Sequence, residues 1–298
     1  MTEPEHPRDV RPELLPLDTT SGLLTRITAQ LGTQLSLVSL NGSRRPVHPD
    51  QTAPTLVAVA HGSRDPQALR TVTTLLERVR DLRPGLSVRL GHIELNEPLL
   101  PASLAVLGTG QAVLVPLLLS RGYHIKHDLP EAVATAPRLH TRTAAPLGPH
   151  PLLVEALYAR LVEAGWRTAD GAARSTGVVL AAAGSRDPAS AADVRRTAAM
   201  LSERLGGVPV LPGYASAASP TVREAVRALA ARGRHRVAVA SYFTAPGRFA
   251  SASAAAAPWI AAAPLGAHPA LARLILQRYD RALAGAQDTA PLHLAATA

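Results

Sequence analysis

The sequence predicts an α/β protein built from two tandem modules, each an open parallel sheet flanked by helices. Short apolar segments that end in turns alternate with amphipathic segments, and this alternation runs twice along the chain. The pentapeptide Gly-Ser-Arg-Asp-Pro occurs at residues 62–66 and again at 184–188, at the same point of each run. Alternating strands and helices are typical of parallel strands joined by right-handed crossovers. The predicted modules span residues 54–168 and 176–288.

The first module begins with the apolar segment TLVAVA at residues 55–60, which predicts a buried parallel strand. After the shared pentapeptide, leucines and valines recur three and four residues apart from Leu69 to Leu82, the spacing of an amphipathic helix. Asp65 is a favourable N-cap for that helix, and Pro66 is a favourable first residue. Further strands are expected at residues 86–93, 112–120 and 138–148, and further helices at 97–108, 129–136 and 151–165.

The second module repeats this plan. The segment GVVLAA leads into the second copy of the pentapeptide, a helix is predicted at residues 220–233, and a strand is predicted at 235–243. The segment PLGPHP at 146–151 returns as PLGAHP at 264–269, just before the last predicted helix. Self-similarity of this extent indicates a duplicated module.

The ends of the chain and its composition limit the class of protein. Residues 1–53 are rich in proline and charge and are expected to form a poorly ordered extension, and residues 289–298 a C-terminal tail. The chain has no cysteine, no signal-peptide pattern and no apolar stretch long enough to span a bilayer, so a cytoplasmic protein without membrane attachment is expected. The net charge of +9 comes from arginines spread along predicted helices, with only 3% aromatic residues, which argues against a specific nucleic-acid partner.

The two copies act as an internal control that separates scaffold from chemistry. Both keep the glycine, aspartate and proline of the shared turn, and both place a histidine, His150 or His268, directly before the last helix. These features are expected to be structural, because both modules need the same turns and caps. Three ionisable residues of the first module are missing from the second, where the predicted pairs are His61 and Ala183, Glu94 and Ser216, and His124 and Arg248.

The three lost residues follow three strands of the predicted sheet. The carboxyl ends of parallel strands meet at one edge of such a sheet, where ligands bind. We therefore expect His61, Glu94 and His124 to form one site. Two imidazoles and a carboxylate suit a divalent ion such as Fe²⁺, Co²⁺, Ni²⁺ or Zn²⁺, and the same groups can accept protons near neutral pH.

Three motifs in this order, VAHGSRDP, ELNEP and VPLLLSRGYHIKHDLP, resemble the class II tetrapyrrole chelatases, the sirohydrochlorin chelatases of siroheme and cobalamin synthesis. The resemblance implies two chelatase-like, flavodoxin-like halves that face each other across a cleft. It further implies that the protein inserts a divalent metal, Fe²⁺ first, into sirohydrochlorin, with His61, Glu94 and His124 as metal-binding and catalytic residues. The second half would form the opposite wall of the cleft, and no permanently bound cofactor is expected.

Sirohydrochlorin carries many carboxylates, so polar and cationic side chains beside the predicted site are candidate substrate contacts. These candidates are Ser63, Arg64, Arg121, Lys126 and, from the second half, Arg186 and Arg248. For Arg64 and Arg186 a role in the shared turn is an equal alternative, and Lys126 can simply be solvated. Asp128 precedes a predicted helix and is a candidate cap, while His127 is either a further ligand or exposed.

Several alternatives stay open on the sequence alone. Insertion of Co²⁺ for cobalamin synthesis uses the same ligands, since selectivity among such ions depends on geometry and supply. A metal or tetrapyrrole carrier would bind without turnover. A phosphate- or nucleotide-binding protein is disfavoured, because HGSRDP lacks the run of glycines that lets backbone amides wrap a phosphate. The protein is expected to act as a monomer.

Overall fold

The structure, a computed structural model, describes residues 53–285. The first module contains β1 (Thr55–Ala60), α1 (Pro66–Leu82), β2 (Val88–His92), α2 (Leu100–Leu107), β3 (Gly110–Pro116), α3 (Tyr123–Lys126), α4 (Asp128–Ala134), β4 (Leu139–Thr143) and α5 (Pro151–Glu163). A short helix, α6 (Thr168–Ala172), leads to the second module. That module contains β5 (Thr176–Ala182), α7 (Pro188–Arg204), β6 (Val210–Tyr214), α8 (Val222–Ala230), β7 (Arg236–Tyr242), α9 (Arg248–Ala254), β8 (Ile260–Ala261) and α10 (Pro269–Ala284).

The predicted N-terminal extension, apart from Ala53, and the predicted C-terminal tail lie outside the described residues. Across 53–285, no helix combines the length and the apolar character needed to cross a bilayer. The sequence pattern does not predict α3 and α6, because helices of four and five residues are too short to show a periodicity.

Both sheets are parallel and have the same strand order, which confirms the predicted fold class. The orders are β2-β1-β3-β4 and β6-β5-β7-β8. In the first sheet Val59 pairs with Gly91 on one side and Pro116 on the other, so β1, β2 and β3 end at one edge. The strand that follows β1 in the chain, β2, lies on one side of it, and β3 lies on the other side. Open α/β sheets bind ligands where the strand order changes direction in this way.

The residues that both copies keep cap helices, as predicted. Asp65 and Asp187 each accept a hydrogen bond from the backbone N–H two residues further on, at 2.8 and 2.9 Å. His150 and His268 do the same through Nδ1, both at 3.2 Å. Each of these four helices has proline as its first residue. The duplicated sequence therefore encodes duplicated helix starts.

The last helix of each module packs against the other module. Helix α5 packs on β7 and α7 of the second module, and α10 packs on β3, β4 and α1 of the first. Leucines of both helices join one buried cluster that runs through the two modules. An arginine on each of these helices also donates a hydrogen bond to the other module: Arg160 donates to Leu265 O at 3.0 Å, and Arg278 donates to Leu147 O at 2.8 Å. The two carboxyl edges are thus held facing one another. The boundary between the modules that the sequence predicts at residues 168–176 stays a prediction.

Stability is expected to fall between pH 7 and pH 5 because of the capping histidines. Burial, reinforced by nearby arginines, lowers the pKa of His150 and His268. A histidine whose pKa is lower in the folded state takes up protons first in the unfolded chain. The histidine's contribution to the free energy of unfolding is therefore complete above the pKa of the unfolded chain, about 6.5, and declines as the pH drops below that value. A doubly protonated ring also cannot accept the capping hydrogen bond.

Urea denaturation midpoints at pH 7 and pH 5 measure this effect. The double variant His150→Asn/His268→Asn keeps a capping oxygen that does not titrate in this range, so its midpoint should depend less on pH. Some dependence is expected to persist, because burial also lowers the pKa of His92. Equal pH dependence in the wild type and the double variant would contradict the assignment.

Candidate active site

Two loops at the carboxyl edge of the first sheet are locked together by a glycine. Gly62 follows β1 with φ of +103°, and a Cβ at this position would lie 1.8 Å from Glu94 O. Glu94 N donates to His61 O at 3.0 Å, and Ser63 N donates to Asn96 Oδ1 at 2.7 Å. Only glycine allows both this dihedral angle and this close approach. The backbone contact therefore places His61 beside Glu94.

The second module makes the same contact without the ionisable side chains. A Cβ on Gly184, whose φ is +92°, would lie 1.9 Å from Ser216 O. Ser216 N donates to Ala183 O at 2.9 Å. Because both modules share this backbone contact, the fold requires it, whereas the fold does not require an imidazole or a carboxylate there.

The structure brings His61, Glu94 and His124 together at this edge. His61 Nδ1 lies 3.6 Å from Glu94 Oε1. The rings of His61 and His124 are perpendicular, with centroids 4.6 Å apart. Ligand atoms on one tetrahedral ion lie roughly 3.3 Å from each other, given metal–ligand bonds of about 2 Å. Within the described part of the chain no three such side chains already stand at coordinating positions, so these partly exposed groups would have to close around an ion.

Asp128 has a role that the sequence left open. Its carboxylate lies 2.5 Å from His124 Nδ1, one helical turn earlier. Helix α4 begins at Asp128 and its N-cap is His127, with no capping bond from a side chain, so the cap interpretation of Asp128 is wrong. A carboxylate on Nδ1 orients the ring and leaves Nε2 as the nitrogen that can bind a metal. His127 is exposed and stacks on Tyr123 at 4.4 Å between ring centroids.

The predicted equivalence of His124 with Arg248 is wrong by one residue. Gly122 and Gly247 are the N-caps of α3 and α9 and have similar extended backbone angles. Counted from these glycines, Phe249 stands where the first module has His124, and Ser253 stands where it has Asp128. The second module has therefore lost the carboxylate together with the imidazole that it orients. This joint loss is the signal by which the sequence could have singled out Asp128.

The predicted substrate contacts divide into two groups. Ser63, Arg64 and Arg248 line the space between the modules, and the two arginines are exposed with no ion pair to any described residue. Arg121 and Lys126 already have protein partners, since both bind carboxylates of the second module. About half of each side chain remains exposed and Arg121 still lines the cleft, so the contacts of these two residues with substrate stay a prediction.

A cleft of about 1070 Å³ lies between the carboxyl edges of the two sheets. Its lining includes the three residues of the site and, from the second module, the loop after β7 and the start of α9. Apolar side chains at its walls include Leu69, Leu95, Tyr123 and Phe249. Pockets of about 300–1,000 Å³ hold drug-sized ligands, so this cleft has room for a larger one.

Fold and cleft together define a class: a duplicated α/β protein with a histidine–carboxylate cluster on one wall of a shared cleft. The chain belongs to the CbiX family, whose model matches residues 55–164 and 177–282. The two matched segments fall within the two halves, which confirms the resemblance inferred from the motifs.

Relatives and solved structures agree with this assignment. Sirohydrochlorin ferrochelatase of Bacillus subtilis is 28% identical over 176 residues, covering 57% of this chain and 66% of that protein. Sirohydrochlorin cobaltochelatase of Methanopyrus kandleri is 33% identical over 85 residues, covering 28% of this chain and 59% of that protein. The chain thus spans less than two thirds of the length of these relatives. The structure of SirB from Bacillus subtilis with Fe³⁺ shares the fold, with a TM-score of 0.64 at 24% identity over 79% of this chain and 98% of that one.

The variant Asp128→Asn is expected to weaken the binding of a divalent ion such as Co²⁺ about tenfold, with little loss of stability. Asparagine keeps the size of the side chain but removes the charge that fixes the Nδ1 proton of His124, and loss of such a supporting carboxylate commonly lowers metal affinity or activity 10- to 100-fold. Titration of Co²⁺ into the protein measures the effect. The matched variant Glu131→Gln changes a carboxylate in the first turn of the same helix that does not contact His124, and should retain the wild-type affinity. Equal affinities for both variants would contradict the orienting role.

Proposed function

We propose that this protein is a sirohydrochlorin chelatase that inserts a divalent metal, Fe²⁺ first, into the macrocycle. The observation that carries the proposal is the convergence of two imidazoles and a carboxylate on one wall of a cleft large enough for a tetrapyrrole. The reaction exchanges two pyrrolic N–H protons for one M²⁺ ion. Both the ion and the protons therefore need groups to hold them.

The three side chains can supply both functions. His124 Nε2, His61 and the Glu94 carboxylate would hold the incoming ion, and the carboxylate would offset part of its charge. A set of three ligands leaves coordination positions open, so the ion can pass to the pyrrole nitrogens. A neutral imidazole that has released the ion can accept a pyrrolic proton near neutral pH.

The rest of the cleft suits the shape and charge of the macrocycle. Arg64 on one wall and Arg248 on the other can pair with its peripheral carboxylates, and Ser63 can donate a hydrogen bond. Leu69, Leu95 and Tyr123 are exposed large apolar side chains at the cleft, with 37%, 51% and 62% of their surface accessible. Such side chains can cover the faces of a flat ring, which would compensate their exposure to water.

Cobalt is the second candidate ion. One relative is a cobaltochelatase and another is a ferrochelatase, and the same nitrogen and oxygen ligands suit both ions. A phosphate ligand is disfavoured further, because the Asp65 carboxylate occupies the N-terminus of α1, where a phosphate would bind.

The test is the absorbance change when free sirohydrochlorin and Fe²⁺, Co²⁺ or Ni²⁺ are added anaerobically to the purified protein. With sirohydrochlorin in about 50-fold excess, a chelatase should convert many equivalents per protein, and the ranking of initial rates identifies the ion. Conversion of a single equivalent would assign a carrier. A rate equal to that without protein would refute the function.

A further inference from the structure

The loop that carries His124 is held mainly by the module that lacks the site. This His124 loop, residues 117–127, connects β3 to α4. Its first two residues bond to their own module, through Leu117 N to Val59 O and Leu118 O to Leu147 N, both at 2.8 Å. From Leu119 onward, the hydrogen bonds and ion pairs that the loop makes with described residues outside itself and the adjacent helix α4 are with the second module, while the ring of His124 also contacts His61 of its own module. Tyr242 Oη donates to Leu119 O at 2.8 Å, and Ser120 Oγ lies 2.9 Å from Ser190 Oγ.

Asp193 makes the central contact. It receives three hydrogen bonds from Arg121, from the backbone N at 2.9 Å, from Nε at 3.0 Å and from Nη2 at 2.6 Å. Only 4% of its side chain is exposed. Burial alone would raise the pKa of Asp193, but the bonds from Arg121 outweigh it and the pKa lies below the ordinary value. A buried carboxylate is strongly destabilising without its partner, so Asp193 and Arg121 are tied together. Two residues after Arg121, α3 begins and presents His124.

Within residues 53–285, the first module has no equivalent contact with the loop of the second module. The first module has Thr71 at the position of Asp193, and the second module has Pro246 at the position of Arg121. Neither a carboxylate nor a guanidinium is therefore available for the reverse contact. A second pair, Lys126 Nζ to Asp187 Oδ2 at 2.5 Å, holds the far end of the His124 loop to the second module as well.

We infer that the second module keeps a function in catalysis, in which Asp193, assisted by Tyr242, positions His124 through Arg121 and the His124 loop. The inference rests on the proposed function of His124. Asp193 is a positioning residue, because it reaches the reacting groups only through another residue. The loss of ionisable groups from the second module and the gain of this contact together give the two halves different tasks.

The test compares two aspartates of the second module that each pair with an arginine of the first, Asp193, which is buried, and Asp280, which is half exposed. Asp193→Asn weakens the hold on the His124 loop. Asp280→Asn removes the charge from a bidentate pair with Arg83, at 2.6 and 2.8 Å, at the far end of α1. Helix α1 has 17 residues, so this control lies about 25 Å from the cleft. Asp193→Asn is expected to lower kcat at least tenfold with KM for sirohydrochlorin within about twofold, and Asp280→Asn should leave both unchanged.

A second measurement uses the metal alone. Titration of Co²⁺ into the protein, followed by its visible absorption bands, is expected to give at least tenfold weaker binding for Asp193→Asn than for Asp280→Asn. Equal kcat and equal Co²⁺ affinity in the two variants would overturn the inference. A wild-type protein that binds Co²⁺ but inserts no metal would refute the proposed function instead, and the Co²⁺ comparison would still decide the positioning role.

Tyr242→Phe keeps the inference testable if Asp193→Asn fails to fold. It removes the hydroxyl that donates to Leu119 O and that also lies 3.2 Å from Thr197 Oγ1, and it retains the buried ring. A severalfold loss of kcat and of Co²⁺ affinity is expected, with thermal stability close to that of wild type. Wild-type values for both quantities would count against the second module as the positioning element.

Discussion

Replacing His124 with alanine is expected to lower kcat for metal insertion at least about a hundredfold. The variant removes an imidazole whose ring lies 4.6 Å from that of His61, and a positioned proton acceptor alone contributes about 10²–10⁴-fold. His61→Ala should have a similar effect. If the two imidazoles hold one ion, the double variant should be little worse than either single variant, because residues that act as a unit are not additive. Steady-state rates with Fe²⁺ and with Co²⁺ measure all three.

His127→Ala is the matched control. His127 lies three residues further along the same loop, but it is exposed, stacks on Tyr123 and provides no side-chain cap for α4. Its removal should change kcat less than about twofold. A loss as large as that in His124→Ala would make His127 a ligand. Full activity in both His61→Ala and His124→Ala would refute the site.

Replacing Gly62 with alanine is expected to destabilise the protein by at least about 3 kcal/mol, since it combines a forbidden dihedral angle with a steric clash. The added Cβ would lie 1.8 Å from Glu94 O at a φ of +103°, so the two loops would have to separate. Separation moves the Glu94 carboxylate away from His61. A large loss of kcat should therefore accompany the loss of stability, measured at a temperature at which the variant is still folded.

Gly184→Ala separates these two effects. Its Cβ would lie 1.9 Å from Ser216 O at a φ of +92°, so the loss of stability should be similar. The loop that it displaces carries no ionisable group of the site, so kcat of the folded fraction should stay within about threefold of wild type. Equal losses of kcat in both glycine variants would show that the effect is global. Unchanged stability in either variant would contradict the close approach.

Much of the fold could be predicted because the relevant rules are local. Three features each depend on residues a few positions apart: the apolar segment before each shared turn, the Asp-Pro start of α1 and α7, and the spacing of leucines. The duplication added a further constraint, since features present in both copies had to serve the fold. The grouping of His61, Glu94 and His124 could also be predicted, because each follows a parallel strand and the carboxyl ends of such strands meet at one edge of the sheet.

The sequence could not reveal partners that are distant along the chain or that depend on loop geometry. Arg121 and Lys126 are predicted substrate contacts because they are cationic and adjacent to His124, whereas the carboxylates that they bind in the structure are 72 and 61 residues further along the chain. Asp128 resembles a helix cap in sequence, but in the structure it pairs with His124, four residues earlier, across the junction of α3 and α4. The alignment of Arg248 with His124 failed because the segment between β6 and β7 has three more residues than the segment between β2 and β3, so the offset between the two copies changes before these loops begin.

The sequence by itself determined two copies of one α/β module, the starts of their helices and the three ionisable groups that one copy lacks. Only the tertiary structure decided that the last helices exchange between modules and that Asp193 holds the loop of His124. Local patterns specify how a segment folds, because hydrogen bonds and side-chain spacing act within a few residues. Which buried charge meets which arginine depends on how two complete modules pack, and no local pattern encodes that contact.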